Sequence, residues 1–153
     1  MFPSIKRVLM QSTCFTFCLD KTFFTVGPES ATGDGHAMCL SSGTGKQWLS
    51  VSLVKCSSSP HEQFRFDQKG KLKNGRFVDY CLAPSYDEAA NFIEVRLKHC
   101  TKVFDSWRRT SDGRITFSGS DKGITIASAQ EGQITFLHGP NSSFIQKWNI
   151  NPV

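Results

Sequence analysis

The stretch that decides the fold is residues 81–107, CLAPSYDEAANFIEVRLKHCTKVFDSW, because residues 39–64, CLSSGTGKQWLSVSLVKCSSSPHEQF, follow the same order. In each stretch a Cys-Leu pair is followed by alternating apolar residues, a second cysteine and a closing aromatic residue. The first cysteines of the two stretches, at positions 39 and 81, are 42 residues apart. A fixed period of this length is typical of an internal structural repeat.

A third copy lacks the cysteines but keeps the apolar frame, with Ile124 and Ile126, then Ile134 and Phe136, and finally Gln146-Lys147-Trp148. All three copies consist of short segments rich in β-branched and aromatic residues, separated by Gly, Ser, Asp, Pro or Asn, which is typical of strands and turns. We therefore predict an all-β chain in which residues 23–153 form a β-trefoil of three degenerate repeats of about 42 residues, each with about four strands.

The aromatic residues that close the units, Phe64, Trp107 and Trp148, are the predicted core. A repeat that places one large apolar side chain at the same point in every copy brings those points together inside the molecule. The alternative is that these rings form an exposed platform for sugars.

Four of the six cysteines occupy matching positions in the first two units. Cys39 and Cys56 are separated by 17 residues, and Cys81 and Cys100 by 19, so we predict one disulfide within each unit. The cysteine spacings contain no C-x-x-C pair, and no metal site is predicted. Because disulfides persist in oxidising compartments, the chain is expected to be secreted or to lie on the extracellular face of a membrane receptor.

Residues 1–22 are interpreted as a separate N-terminal segment, either a weak signal peptide or an additional strand. Cys14 and Cys18 in this segment are left open: they pair with each other, pair with another chain, or are lost with a signal peptide. No run of about 18 apolar residues is present, so membrane insertion is not expected.

The chain is basic, with 18 Lys and Arg against 13 Asp and Glu and a net charge of +5. This charge favours anionic partners such as sulfated sugars, phosphates or acidic membranes, but a charge this modest names no partner, and no nucleic acid partner is predicted. We interpret the local basic runs as solvated turn faces. They comprise Lys69, Lys71, Lys73 and Arg76, and further along Arg108, Arg109 and Arg114.

Nothing in the sequence indicates catalysis or a cofactor. The four histidines, at positions 36, 61, 99 and 138, stand outside any Gly-x-Ser-x-Gly or His-Glu-x-x-His context. The carboxylate pair Asp87-Glu88 follows Pro84 in a predicted turn, where solvation explains it better than acid and base roles. We predict a non-enzymatic protein.

Several of these motifs together resemble the ricin-B-type lectin domains, and within them the cysteine-rich N-terminal domain of the mannose receptor family. The resemblance spans residues 23–150 and is carried by the paired Cys-Leu with a later V-x-L-x-x-C, by EQFRF at 62–66, by IEVRL at 93–97 and by QKWNI at 146–150. It implies a non-catalytic β-trefoil whose partners are glycans or glycoproteins, including sulfated N-acetylgalactosamine sugars in the receptor group.

The chain departs from the galactose-binding pattern of that family. Galactose sites carry an Asp two residues after the strand-two cysteine, where this chain has Ser41 and Ala83. They carry an aromatic residue before the second cysteine, where it has Val54 and Lys98. The resemblance therefore implies no ordinary galactose pocket in the first two units.

The first-choice ligand site lies in the third unit, in the turn before the last Trp, and comprises His138, Asn141, Ser142 and Phe144. Amides and hydroxyls there are able to hold a sulfate, and Phe144 is able to stack on a sugar ring. Asn141-Ser142-Ser143 is also a glycosylation sequon. Secondary candidates are Trp48 and Phe92, each eight residues before the second cysteine of its unit, with strand-end packing as their alternative role.

A second function class stays open, a protein-binding β-trefoil of the cytokine or receptor-module kind with no sugar site. Fold alone does not choose between the two. The Q-x-W-like ending combined with disulfides inside the units favours the lectin.

Overall fold

The computed structural model describes residues 22–29, 37–43, 49–87 and 92–153. Within these ranges the regular structure is β-strand, together with two single-turn 3₁₀ helices at Pro60–Glu62 and Cys100–Lys102. In this part of the chain no helix has the length and apolar character needed to cross a bilayer. The predictions for residues 1–22, including Cys14 and Cys18, fall outside the described residues except for Thr22.

Twelve strands occupy the described ranges, and all of their pairings are antiparallel. In chain order they are β1 (Phe24–Pro28), β2 (Met38–Ser42), β3 (Val51–Lys55), β4 (Phe64–Phe66), β5 (Leu72–Asn74), β6 (Tyr80–Asp87), β7 (Phe92–His99), β8 (Trp107–Arg109), β9 (Ile115–Phe117), β10 (Gly123–Thr125), β11 (Phe136–His138) and β12 (Trp148–Pro152).

Ten of these strands form one sheet in the order β12-β1-β4-β5-β6-β7-β11-β10-β9-β8, and β2 and β3 form a separate pair. The first and last strands are neighbours, because β1 pairs with β12 over five residues with Val26 opposite Ile150. Backbone hydrogen bonds from Trp107 N to Gly70 O and from Trp148 N to Gly113 O, both 2.8 Å, tie the later units to the turns before β5 and β9.

The strands form where apolar and polar residues alternate. In β7, Val95 and Leu97 are buried, whereas the intervening Arg96 is half-buried and the following Lys98 is exposed. Successive side chains of a strand point to opposite faces, so this alternation places one face in the core and the other in solvent.

The hairpins β2–β3, β6–β7 and β10–β11 lie next to one another, and each is hydrogen-bonded to the other two. Leu97 N donates to Leu49 O (2.7 Å), Leu53 N to Gln133 O (2.9 Å) and Val95 N to Thr135 O (3.0 Å). At the junction the buried Thr135 hydroxyl donates to the carbonyl oxygen of Val51 (2.9 Å). The pair β2–β3 is therefore bonded to the rest of the fold although it belongs to another sheet.

The closing aromatics Phe64, Trp107 and Trp148 lie in one core cluster with exposures of 1%, 3% and 0%. A buried indole N–H needs an acceptor. Trp107 Nε1 donates to Leu82 O (3.0 Å) and Trp148 Nε1 donates to Ile124 O (2.8 Å). The structure thus places all three rings inside the molecule.

Both predicted disulfides are present, with Cα–Cα distances of 5.1 Å for Cys39–Cys56 and 5.0 Å for Cys81–Cys100. The carboxylate of Glu62 lies within 4.8 Å of the first pair, which brings together three residues of types that ligate metals. Because the two sulfurs are bonded to each other, they are not thiolates and do not serve as ligands.

Candidate functional site

A surface depression of about 500 Å³ lies beside the turn that connects β11 to β12. Asn141, Ser142 and Phe144 of the first-choice site line it. The remaining lining residues are Glu29, Asp112, Arg114, Pro140, Ile145, Gln146 and Lys147. The depression is therefore built from the third unit, the end of the second and the residue after β1.

The side chain of Gln146 is 7% exposed and holds this turn through hydrogen bonds. Its Nε2 donates to Gly139 O (2.7 Å) and to Thr125 Oγ1 (3.1 Å), while its Oε1 accepts from Asn141 N (2.9 Å). One buried carboxamide thus holds both sides of the turn, and a satisfied buried polar network of this kind rigidifies its surroundings.

Asn141 organises the exposed part of the turn. Its Oδ1 accepts from Ser143 N (2.8 Å), and its carbonyl oxygen accepts from Phe144 N (3.2 Å). Since an Asn side chain carries an acceptor oxygen and an NH₂ donor, these bonds leave the Nδ2 donor for a ligand. The exposed Ser142 adds a hydroxyl that both donates and accepts.

Phe144 belongs to a cluster of rings packed edge to face. Its centroid lies 5.1 Å from His138 and 5.6 Å from Phe136, and Phe136 lies 6.2 Å from Phe92. The cluster brings His138 and Phe144 of the first-choice site together with the secondary candidate Phe92. The other secondary candidate, Trp48, lies outside the described residues.

His138 stands beside the depression and is oriented by its own turn. Its Nδ1 lies 2.8 Å from Gly139 O. A carbonyl oxygen only accepts, so Nδ1 carries the proton. The ring does not line the depression but packs edge to face against Phe144, which does.

Two cations and two carboxylates line the depression, namely Arg114, Lys147, Glu29 and Asp112. Arg114 Nε lies 3.5 Å from Asp112 Oδ2, and Arg114 Nη1 donates to Asp121 O (3.0 Å). A hydrogen bond from the Thr110 hydroxyl, with a smaller contribution from the Arg114 charge, holds the pKa of Asp112 below its ordinary value. Asp112 therefore stays ionised and competes with an anionic ligand for Arg114.

The position of the galactose-binding Asp carries no carboxylate in the second or third unit. The carbonyl oxygens of Leu82 and Ile124 accept from the buried indoles of Trp107 and Trp148, so these two residues occupy equivalent positions. The residues that follow them, Ala83 and Thr125, are therefore equivalent to each other as well. Both are buried, at 3% and 0%, and Thr125 donates to Gly123 O (2.9 Å).

Sequence reasoning missed Phe136, Arg114, Asp112 and Glu29. Phe136 and His138 alternate along β11 and so share one face of that strand, a signal that would have found Phe136. Nothing local points to the other three, because Glu29 and Arg114 reach the depression only through the pairing of distant strands.

Two further aromatic side chains of the described residues stand out in solvent, Tyr86 at 79% and Phe104 at 92% exposure. Phe104 precedes Trp107 by three residues, much as Phe144 precedes Trp148 by four. Unlike Phe144, it does not line the depression.

Comparison with known proteins gives a family match and several structural matches. The model of the ricin-type beta-trefoil lectin domain matches residues 30–151. No curated protein matches the chain.

Three solved structures show the same fold at low identity. The first is a non-toxic homologue of type II RIPs from Momordica charantia (bitter gourd) in complex with α-methyl-D-galactoside, with a TM-score of 0.65 and 16% identity over 84% of this chain and 47% of that one. The second is the earthworm R-type lectin C-half in complex with GalNAc, with a TM-score of 0.62 and 15% identity over 86% of this chain and 99% of that one. The third is GalNAc-T7 with UDP, GalNAc and Mn²⁺, with a TM-score of 0.62 and 22% identity over 85% of this chain and 22% of that one. This chain thus spans about half of the bitter gourd protein and all but 1% of the earthworm half-lectin.

Proposed function

The chain belongs to the ricin-type beta-trefoil lectin domain family, and we propose that it is a non-catalytic carbohydrate-binding module whose ligand site is the depression beside Asn141, Ser142 and Phe144. The observation that carries the proposal is the combination, in one concave surface, of a half-buried ring with an oriented amide and an exposed hydroxyl group. Pockets of this kind bind small ligands through apolar contact and a few fixed polar groups.

A pyranose ring presents apolar C–H faces and a rim of hydroxyls, and the depression has a counterpart for each. Phe144 supplies the apolar contact and is braced by Phe136 and His138. Asn141 Nδ2 supplies a donor and the Ser142 hydroxyl both a donor and an acceptor, and His138 packs against Phe144 next to them. A turn held by the buried Gln146 loses little conformational entropy on binding.

We propose further that the preferred ligands are sulfated or otherwise anionic glycans, as in the cysteine-rich domain of the mannose receptor family. Arg114 and Lys147 supply positive charge at the depression. A sulfate must displace Asp112 from Arg114 in order to bind there. We therefore expect the depression to prefer anionic over neutral sugars only modestly.

The three-unit interpretation of the fold, with a period of about 42 residues, enters the proposal as well. The three hairpins that meet around Thr135 support it, and so do the equivalent bonds of Trp107 and Trp148. The two disulfides support an extracellular location, where glycans are abundant.

The test is an array of neutral, sialylated and sulfated glycans probed with the oxidised protein and two matched variants. We expect selective binding by the native chain, strongest to sulfated sugars. Phe144→Ala should abolish it, because the substitution removes the apolar contact. Phe104→Ala, which truncates a phenylalanine at a more exposed site, should bind like the native chain.

Unchanged binding by Phe144→Ala would show that the site is elsewhere, and loss of binding in both variants would show that the loss is not specific to the depression. A blank array for a protein whose thermal unfolding remains cooperative would replace the proposal by the protein-binding alternative. The exposed Tyr86 and Phe104 would then be the first residues to substitute, because exposed aromatic residues are enriched where proteins bind one another.

A further inference from the structure

The β4–β5 hairpin carries like charges in direct opposition. Arg65 on β4 pairs with Lys73 on β5, while the neighbouring Phe64 and Leu72 are buried. Arg65 and Lys73 therefore share the outer face of the hairpin. Two cationic side chains on one face of the hairpin concentrate positive charge there, and like charges directly opposite each other do not favour strand pairing.

Two more lysines join this pair around a second depression of about 390 Å³. Its lining includes Arg65, Asp67, Lys69, Lys71, Lys73 and Thr101, and it shares no residue with the depression of the third unit. Four cations and one carboxylate give the lining a charge of +3. The run interpreted above as a solvated turn face is thus a concave cationic surface, apart from Arg76, whose guanidinium lies 5.2 Å from the Phe77 centroid.

The single carboxylate of the lining is already engaged. Asp67 Oδ1 accepts from the backbone N–H groups of Lys69 and Lys71, both at 2.9 Å, and so closes the hairpin turn. Among the described residues no carboxylate lies within 4.0 Å of the ammonium group of Lys69, Lys71 or Lys73. The ammonium groups of these three lysines are therefore not neutralised within this part of the chain, whereas Arg65 has a partner of its own, with its guanidinium 5.6 Å from the Phe23 centroid.

Lys71 is also held in place. Its Nζ donates to Cys100 O (2.9 Å), at the cysteine that is bonded to Cys81, so the ammonium group bridges the hairpin and the end of β7. A fixed ammonium group with two further donors gives the depression one preorganised anion contact, which lowers the entropic cost of binding.

We propose that this surface, formed by Arg65, Lys69, Lys71 and Lys73, is a second binding site that takes a linear sulfated polysaccharide. Sulfate esters keep their charge at every physiological pH and match a row of cations. The described lining offers no aromatic ring on which a nucleobase could stack, in contrast to surfaces that bind single-stranded nucleic acid. The site is independent of the proposed function, because it needs neither Phe144 nor Asn141.

The test measures binding of a size-defined heparin oligosaccharide to immobilised full-length chain over a series of salt concentrations. The variant Lys69→Gln/Lys73→Gln removes two charges from the surface. The matched control Lys55→Gln/Lys122→Gln removes two charges from exposed lysines that line neither depression. Phe144→Ala, chemically desulfated heparin and a DNA duplex complete the set.

We expect the Lys69/Lys73 variant to lose about tenfold or more in affinity and to show a smaller salt slope, by about 1 to 2 in log K against log salt. The control pair and Phe144→Ala should bind like the native chain, and desulfated heparin should not bind. Equal losses in both double variants, unchanged binding in the Lys69/Lys73 variant, or binding of the DNA duplex as strong as that of heparin would overturn the proposal. Because Phe144→Ala is measured separately, a negative result for the hairpin surface does not affect the glycan array test of the site in the third unit.

Discussion

At the scale of single residues, the turns before Phe64 and Trp148 each depend on one buried polar side chain. In the third unit this is Gln146; in the first it is Glu62, which is 1% exposed and accepts from Ser57 N (2.6 Å) and Ser59 N (3.1 Å). Both stand two residues before the closing aromatic. Only Gln146 supports the depression that we assign to the ligand.

Gln146→Leu should therefore reduce both stability and sugar affinity. It leaves Asn141 N and Gly139 O without their partner, and such losses cost about 1–3 kcal/mol for each buried group. Urea unfolding followed by Trp fluorescence and titration with the best sugar of the array measure the two effects. Glu62→Gln is the control, expected to lose similar stability without loss of sugar affinity; equal loss of sugar binding in both would contradict the role of Gln146.

Asp112→Asn tests the charge balance of the depression. The substitution keeps an acceptor for the Thr110 hydroxyl but removes the negative charge beside Arg114. We expect a few-fold gain in affinity for sulfated sugars and none for the matching neutral sugars, measured by calorimetric titration. A gain for both sugar classes, or a loss for the sulfated class, would show that Arg114 does not contact the anion.

At the scale of the elements, the sequence predicted what is local and missed what is not. The Cys-to-Cys spacing and the alternation around Val95 and Leu97 were enough to place the two disulfides and the strands that they join. The contact of Phe92 with Phe136 was not predictable, because it depends on the pairing of β7 with β11 across about 40 residues of chain.

The same limit applies to the two surfaces. The turn at 138–144 became a candidate because its polar residues and its ring are close together in sequence. Arg114 reaches that turn from the segment before β9, and Thr101 reaches the basic hairpin from the end of β7, so neither contact leaves a trace in local sequence. Spacing and periodicity reveal secondary structure, whereas the lining of a depression depends on tertiary contacts.

The disulfide of the second unit should contribute substantially to stability. Cys81→Ala/Cys100→Ala opens a loop of 19 residues and should lower the free energy of unfolding by about 3 kcal/mol. It should also weaken heparin binding, because Lys71 is anchored on the carbonyl oxygen of Cys100. Chemical denaturation and the heparin titration measure both, and unchanged heparin affinity in a folded variant would show that this anchor is dispensable.

At the scale of the whole molecule, the net charge of +5 is unevenly distributed. The depression of the third unit is balanced, with Arg114 and Lys147 against Asp112 and Glu29, whereas the basic hairpin surface carries +3. The two surfaces therefore suit different ligands, a single sugar at the first and a charged chain at the second. Binding at the hairpin surface should be strongly salt-dependent, and binding at the third unit only weakly so.

The most direct test of the carbohydrate site is a titration of the ¹⁵N-labelled chain with the best sugar of the array, followed by amide chemical shifts. The structure predicts that the largest changes cluster at Asn141, Ser142, Phe144 and the side-chain amide of Gln146, with little change along Lys69–Lys73. Changes concentrated at Tyr86 and Phe104, or spread evenly over the chain, would contradict the assignment of the ligand site to the third unit.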